Sequence, residues 1–137
     1  MPNIVVEYSA NIAADADVPG LLKTIASTVI EAGQGAFAVA AVRVRAYRAD
    51  DYVIGDGDPS YAFVNVTVRL AKGRPEADRV RTFDAVWAAV KTHLDPVDRK
   101  WVLAISMDVE EFGDRMAFKQ NRIHEKMGTK PFAKVMS

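Results

Sequence analysis

Hydrophobic positions along this chain change period several times. Residues 3–8 alternate Ile4, Val6 and Tyr8 against Val5 and Glu7, the two-residue period of a strand that starts almost at the first residue. A polar stretch with Asp15 and Asp17 then offers a helix cap just before Pro19, which suits a first turn. Leu21, Leu22, Ile25 and Val29 recur at helical spacing, and Gly33 and Gly35 supply the stop. From Phe37 to Arg48 the period returns to two, with Val42, Val44 and Ala46 set against Arg43, Arg45 and Tyr47. A turn-rich segment, Asp50 to Ser60, closes this half.

The order then repeats. Tyr61–Leu70 predicts a strand, with Ala62, Val64, Val66 and Val68 facing opposite to Phe63, Asn65 and Thr67. Gly73 punctuates and Pro75 opens a helix whose expected apolar stripe is Val80, Phe83, Trp87, Val90 and Leu94. Asp95-Pro96 is expected to end that helix, because proline disfavours helical geometry in its predecessor. Trp101–Val109 predicts a fourth strand, and 110–127 look irregular or briefly helical. These elements make two β-α-β units in an α/β (α+β) fold, with residues 1–127 as one domain and 128–137 as a tail. Each helix can serve as a right-handed crossover between parallel strands. A four-stranded mixed sheet with both helices on one face follows. The other face is expected to carry Phe, Val, Ile or Met from several strands, an apolar patch that an oligomer would cover.

Composition narrows the chemistry. At 137 residues the chain supports one core, and 50% hydrophobic with 26% charged residues is ordinary for a globular domain. Eighteen basic and eighteen acidic side chains cancel, so no global field recruits nucleic acid or anionic lipid. With no cysteine, disulfides, thiolate metal sites and cysteine nucleophiles are excluded. No signal-like leader and no long apolar run are seen, and a cytoplasmic protein is expected. Phosphate-binding loops, His-Glu-x-x-His and Gly-x-Ser-x-Gly are missing. The acidic turn Asp50, Asp51, Asp56 and Asp58 lacks the closing glutamate of a calcium loop, so no metal is expected. His93 and His124 stand singly, and His93 is read as serving a helix C-terminus.

Pro2 is unusual in position. Removal of a methionine before proline leaves a secondary amine as the first atom of a strand, a basic nitrogen without a flexible stem. Ordinary α-amino groups titrate around 8. Desolvation and neighbouring cations would favour the neutral, proton-accepting form. Arg43 and Arg45 share one face of a strand, and Arg74 follows Gly73 at the carboxyl end of the third strand, where ligands gather in open sheets. Guanidinium forks bind carboxylates bidentately, although surface arginines are commonly only solvated.

Pro2 with Ile4-Val5-Val6-Glu7-Tyr8-Ser9, then Ala16-Asp17-Val18-Pro19-Gly20-Leu21, resembles the start of 5-carboxymethyl-2-hydroxymuconate isomerases. Val42-Arg43-Val44-Arg45, Tyr61-Ala62-Phe63-Val64, Lys72-Gly73-Arg74 and Phe118-Lys119-Gln120-Asn121 extend the likeness in order over about residues 2–126. The resemblance implies a tautomerase-superfamily fold, a homotrimer and an isomerase of homoprotocatechuate breakdown acting on a small polycarboxylate. It further implies Pro2 as the base, Arg43 and Arg74 as carboxylate ligands, Arg45 and Lys119 as lesser ones, and no cofactor. Ala41, Val44 and Asn65 depart from the family's usual glycine, serine and histidine. Two other readings stand beside this one: a tautomerase for another unsaturated 2-hydroxy acid, and a non-enzymatic binding module on the same fold.

Overall fold

The computed structural model describes residues 2–113 and 118–128. Strand β1 (Asn3–Ser9) leads through a 3-10 turn (Ala10–Ile12) into helix α1 (Val18–Gly33). A second 3-10 turn (Val39–Ala41) precedes β2 (Arg43–Ala49), so the two-residue period seen from Phe37 becomes a strand only at Arg43. Then come β3 (Tyr61–Ala71), α2 (Glu76–Lys100), β4 (Val102–Phe112) and the short α3 (Arg122–Met127). The tail residues 129–137 lie outside the described residues. Among the described residues no helix is long and apolar enough to cross a membrane.

The sheet order is β2-β1-β3-β4. Strands β1 and β2 pair in parallel, as do β3 and β4, and the two units join through antiparallel β1 and β3. Ile4 and Val6 lie opposite Val68 and Val66, and all four are fully buried. They share one core with Leu21, Ile25 and Val29 of α1 and with Phe83, Val86, Val90, Leu94 and Val97 of α2. Burial of one side chain of this size is worth about 1.5–3 kcal/mol, which makes this layer the main driving force for the fold.

Helix α1 begins where the sequence places it. Asp17, in the left-handed region at φ 44°, accepts a hydrogen bond from Gly20 N at 3.3 Å through Oδ1. A Cβ at Gly20 would lie 2.1 Å from Asp17 Oδ2, so a larger residue there would push the capping carboxylate aside. The helix ends at Gly33, where Arg81 of α2 donates to the carbonyls of Ala32 (Nε, 2.8 Å) and Gly33 (Nη2, 3.1 Å). Asp78 holds the same guanidinium at 2.8 Å.

Three expectations are corrected. Helix α2 does not stop at Asp95-Pro96 but continues to Lys100, with Pro96 inside it. Pro96 is exposed, whereas Leu94 and Val97 are buried, so packing on the inner face outweighs one lost helical hydrogen bond. The stripe is therefore Phe83, Val86, Val90, Leu94 and Val97; Val80 is half exposed and Trp87 only partly buried. Third, the uncovered sheet face is not dominated by apolar residues. Register places Val5, Tyr47, Tyr61, Phe63, Val102, Ala104 and Phe112 there among Glu7, Arg43, Arg45, Asn65, Thr67, Arg69, Ser106, Asp108 and Glu110. Ile105 and Met107 pair with Val64 and Val66 and so pack on the helical side. Asn65 and Ser106 are linked across this face, Ser106 Oγ to Asn65 Oδ1 at 2.7 Å.

At the opposite end from the strand β1 start, Trp101 Nε1 donates to Asp15 at 3.0 Å, and Lys100 pairs with the same carboxylate at 3.1 Å. These two donors hold the Asp15 carboxyl below the usual carboxylate range. Because its folded pKa is depressed, the tie contributes fully above the unfolded value of about 3.9 and is lost as pH falls through the folded one.

Replacing Arg81 with Met keeps much of the stem but removes the two side-chain hydrogen bonds to the end of α1. The expected loss is about 1–2 kcal/mol, at the lower end for hydrogen bonds to a charged group that is partly solvated. It is read as a lower urea midpoint with unchanged slope; an unmoved midpoint would show that water satisfies those carbonyls equally well.

Candidate active site

Antiparallel pairing of β1 with β3 brings the start of the first unit beside the finish of the second. Asn3 lies opposite both Arg43 and Arg69, and the Arg43 amide donates to the Pro2 carbonyl at 3.1 Å. Pro2, the residue just before β1, is buried against neighbouring protein. Arg43 is half-buried, its Nη1 donating to the Ala41 carbonyl at 3.4 Å, and it lines an apolar groove with Val42, Ile123 and Met127.

Arg74 arrives from β3 through Gly73, whose φ of 120° is a conformation that L side chains rarely adopt. Its Nε donates to the Ala36 carbonyl at 3.1 Å and its Nη1 to the Ala71 carbonyl at 3.3 Å. The guanidinium also stacks 4.6 Å from the centre of the Phe37 ring. Two carbonyls and a ring face therefore fix the fork before any ligand arrives. Arg74 lines a cleft of about 320 Å³ with Ala38, Ala41, Lys119, Asn121 and His124. Two cations and an imidazole over small apolar residues suit a carboxylate-bearing small molecule.

Of the five residues expected from sequence, the structure gathers Pro2 and Arg43 by a shared hydrogen bond and Arg74 and Lys119 by a shared cleft. The Ala38–Ala41 stretch lies between these two pairs: Ala41 lines the cleft and accepts from Arg43. Arg45 is not part of this gathering. It is two residues further along β2, opposite Val5, exposed on the uncovered face.

Asn121 and His124 were not expected in the site. Asn121 belongs to a quoted string but carried no role, and His124 stood as a lone histidine. An asparagine three residues before a histidine, as cap and first-turn residue of a short helix, was the available signal. His93 is reassigned as well. With α2 running to Lys100, it is an interior helix residue, and its Nε2 lies 2.9 Å from the Ala16 carbonyl and 3.1 Å from that of Asp17. Two carbonyl acceptors require that nitrogen to carry the hydrogen, so His93 ties α2 to the start of α1.

The model of the 5-carboxymethyl-2-hydroxymuconate isomerase family matches residues 2–127. The chain belongs to this family. The 5-carboxymethyl-2-hydroxymuconate Delta-isomerase of Escherichia coli is 34% identical over 124 residues, covering 90% of this chain and 97% of that protein. A 5-carboxymethyl-2-hydroxymuconate isomerase from Deinococcus radiodurans R1 superposes with a TM-score of 0.84 at 31% identity, over 91% of this chain and 92% of that one. A fused 4-OT described as a symmetric trimer shares the fold alone, with a TM-score of 0.60 and 19% identity over 85% and 92% of the two chains. The fold is that of the tautomerases, and the two β-α-β units expected from sequence are present.

Proposed function

We propose that the chain is a cofactor-independent isomerase that converts the dienol 5-carboxymethyl-2-hydroxymuconate to its conjugated 2-oxo isomer, with the freed amine of Pro2 as base. What supports this is that Pro2 and Arg43, joined by a backbone hydrogen bond, and Arg74 all border the 36–41 stretch at one end of the sheet, in a chain of this isomerase family. The amine takes the proton of the 2-hydroxyl, the C2–O bond becomes a carbonyl, and the double bonds shift so that carbon 5 receives the proton from the prolinium. Nothing is consumed, and the amine is regenerated. Arg43 and Arg74 hold carboxylates and stabilise charge that develops on oxygen. Lys119 adds charge at the cleft, and Arg45 has the weakest place in this scheme. The reaction fits homoprotocatechuate breakdown.

The proposed working form is a homotrimer with the uncovered sheet faces turned inward. Support comes from the symmetric trimer of the fused 4-OT relative. The face itself carries both Arg45 and Arg69 and the acidic Glu7, Asp108 and Glu110, so like faces can pair opposite charges. Light scattering at micromolar concentration is expected to return three chain masses; one chain mass refutes the assembly.

Arg43→Ala and Arg74→Ala are each expected to raise KM and lower kcat, with Arg→Lys restoring only part, because lysine keeps the charge and loses the fork. Unchanged kinetics in both Ala variants would reduce the arginines to solvated surface.

For Pro2 the base must be neutral, so the rate is expected to rise with pH and level off above a pKa lowered from the reference of about 8 by desolvation and the arginines. An N-terminal extension, or retained Met1, makes the nitrogen a non-basic amide. The expected loss is about 10²–10⁴-fold, the usual worth of a positioned general base. Pro2→Ala keeps a primary amine in nearly the same place and should retain part of the activity. Equal rates from extended and processed protein would remove Pro2 from the mechanism and favour a binding module.

A further inference from the structure

The clearest unassigned geometry belongs to Asn121. Its Oδ1 accepts from Ile123 N at 3.0 Å and from His124 N at 3.2 Å, capping α3, while its Nδ2 donates to the carbonyl of the buried Ala40 at 3.1 Å. One amide thus joins the C-terminal helix to the turn that leads into Arg43. Helix α3 has six residues, none of them buried, and isolated helices below about 12–15 residues are marginal in water. It is held in place by what it touches. Ile123 and Met127 line an apolar groove with Ala26, Ile30 and Val42, while Lys119 and His124 line the Arg74 cleft. The segment around Asn121 therefore supplies one wall of each of the two cavities.

We propose that Asn121 is a positioning residue for substrate binding: its side-chain amide clamps α3 onto the Val39–Ala41 turn, and so sets Lys119 and His124 opposite Arg74. The inference rests on the isomerase reading for its substrate, but not for its geometry. Capping alone needs only the oxygen. The clamp needs the nitrogen as well, because Ala40 offers a carbonyl and requires a donor.

Asn121→Asp separates the two roles. The carboxylate still caps α3, and a negative charge at a helix start is favourable. Its second oxygen, however, faces the Ala40 carbonyl without a hydrogen. The expected result is a KM for the dienol raised about tenfold, with kcat within about threefold, and amide exchange of Ile123–Met127 at least about tenfold faster at an unchanged global melting temperature. Asn121→Ala, which loses cap and clamp, should show the same effects at least as strongly. Wild-type KM and exchange in Asn121→Asp would overturn the clamp and leave only a cap. So would a fall in kcat alone. If the unmodified protein fails to turn over the dienol, the isomerase reading fails, and the clamp is then judged by exchange and by calorimetric titration with propane-1,2,3-tricarboxylate. Weaker binding in both Asn121→Ala, which adds no charge to the cleft, and Asn121→Asp, with faster exchange, supports it, and equal binding in Asn121→Ala overturns it.

Discussion

Everything at the candidate site depends on the antiparallel pairing of β1 with β3. Within each β-α-β unit the strands run parallel, so the start of β1 lies beside the start of β2, where the crossover from α1 arrives through the Val39–Ala41 turn. Only the antiparallel seam puts that end next to the finish of β3, where Gly73 turns the chain and Arg74 emerges. The seam is fixed by burial: Ile4 and Val6 pack beside Val66 and Val68 under the two helices. A one-residue slip of β1 would turn Ile4 and Val6 to the uncovered face and carry Val5 and Glu7 into the core. The hydrophobic layer thus specifies the register, and the register specifies which charged groups meet.

That dependence explains what could be read in advance. Periods of two and of helical spacing in the right order gave two β-α-β units, and Asp17 with Pro19 marked the start of α1 correctly. What failed was decided between elements. Pro96 is a stop signal locally, but Val97 completes a stripe whose burial outweighs it. Ile105 and Met107 looked available for an apolar outer face, yet pairing with Val64 and Val66 sends them inward. The resulting mixed face changes the physical account of association, from apolar burial towards matched charge.

The site was legible to a similar depth. Arg74 stands out by its place at the carboxyl end of β3, where an open sheet collects ligands, and Pro2 and Arg43 by opening two neighbouring parallel strands. Asn121 does not, because its partner carbonyl is on Ala40, some eighty residues earlier, and nothing in the local pattern announces that contact. Arg45 is set apart from the others along β2. Alternation correctly put it on Arg43's face, but two residues of strand advance it by about 6.5 Å, away from the end where the others converge.

The three walls of the site are held with unequal firmness, and the difference follows from how each is built. Pro2 is placed by a strand in the interior of the sheet, so a base there has no side-chain torsions to order. Arg74 has a long stem, but carbonyls of Ala36 and Ala71 and the Phe37 ring already restrict it. Lys119 and His124 depend on a helix with no buried residue of its own. The proposed reaction would demand precision at Pro2 and at the arginines, whereas entry and exit of a small polyanion would tolerate a looser wall. The least buried element therefore stands where movement harms the chemistry least. A single side-chain amide, spanning cap and turn, joins that wall to the rest of the site.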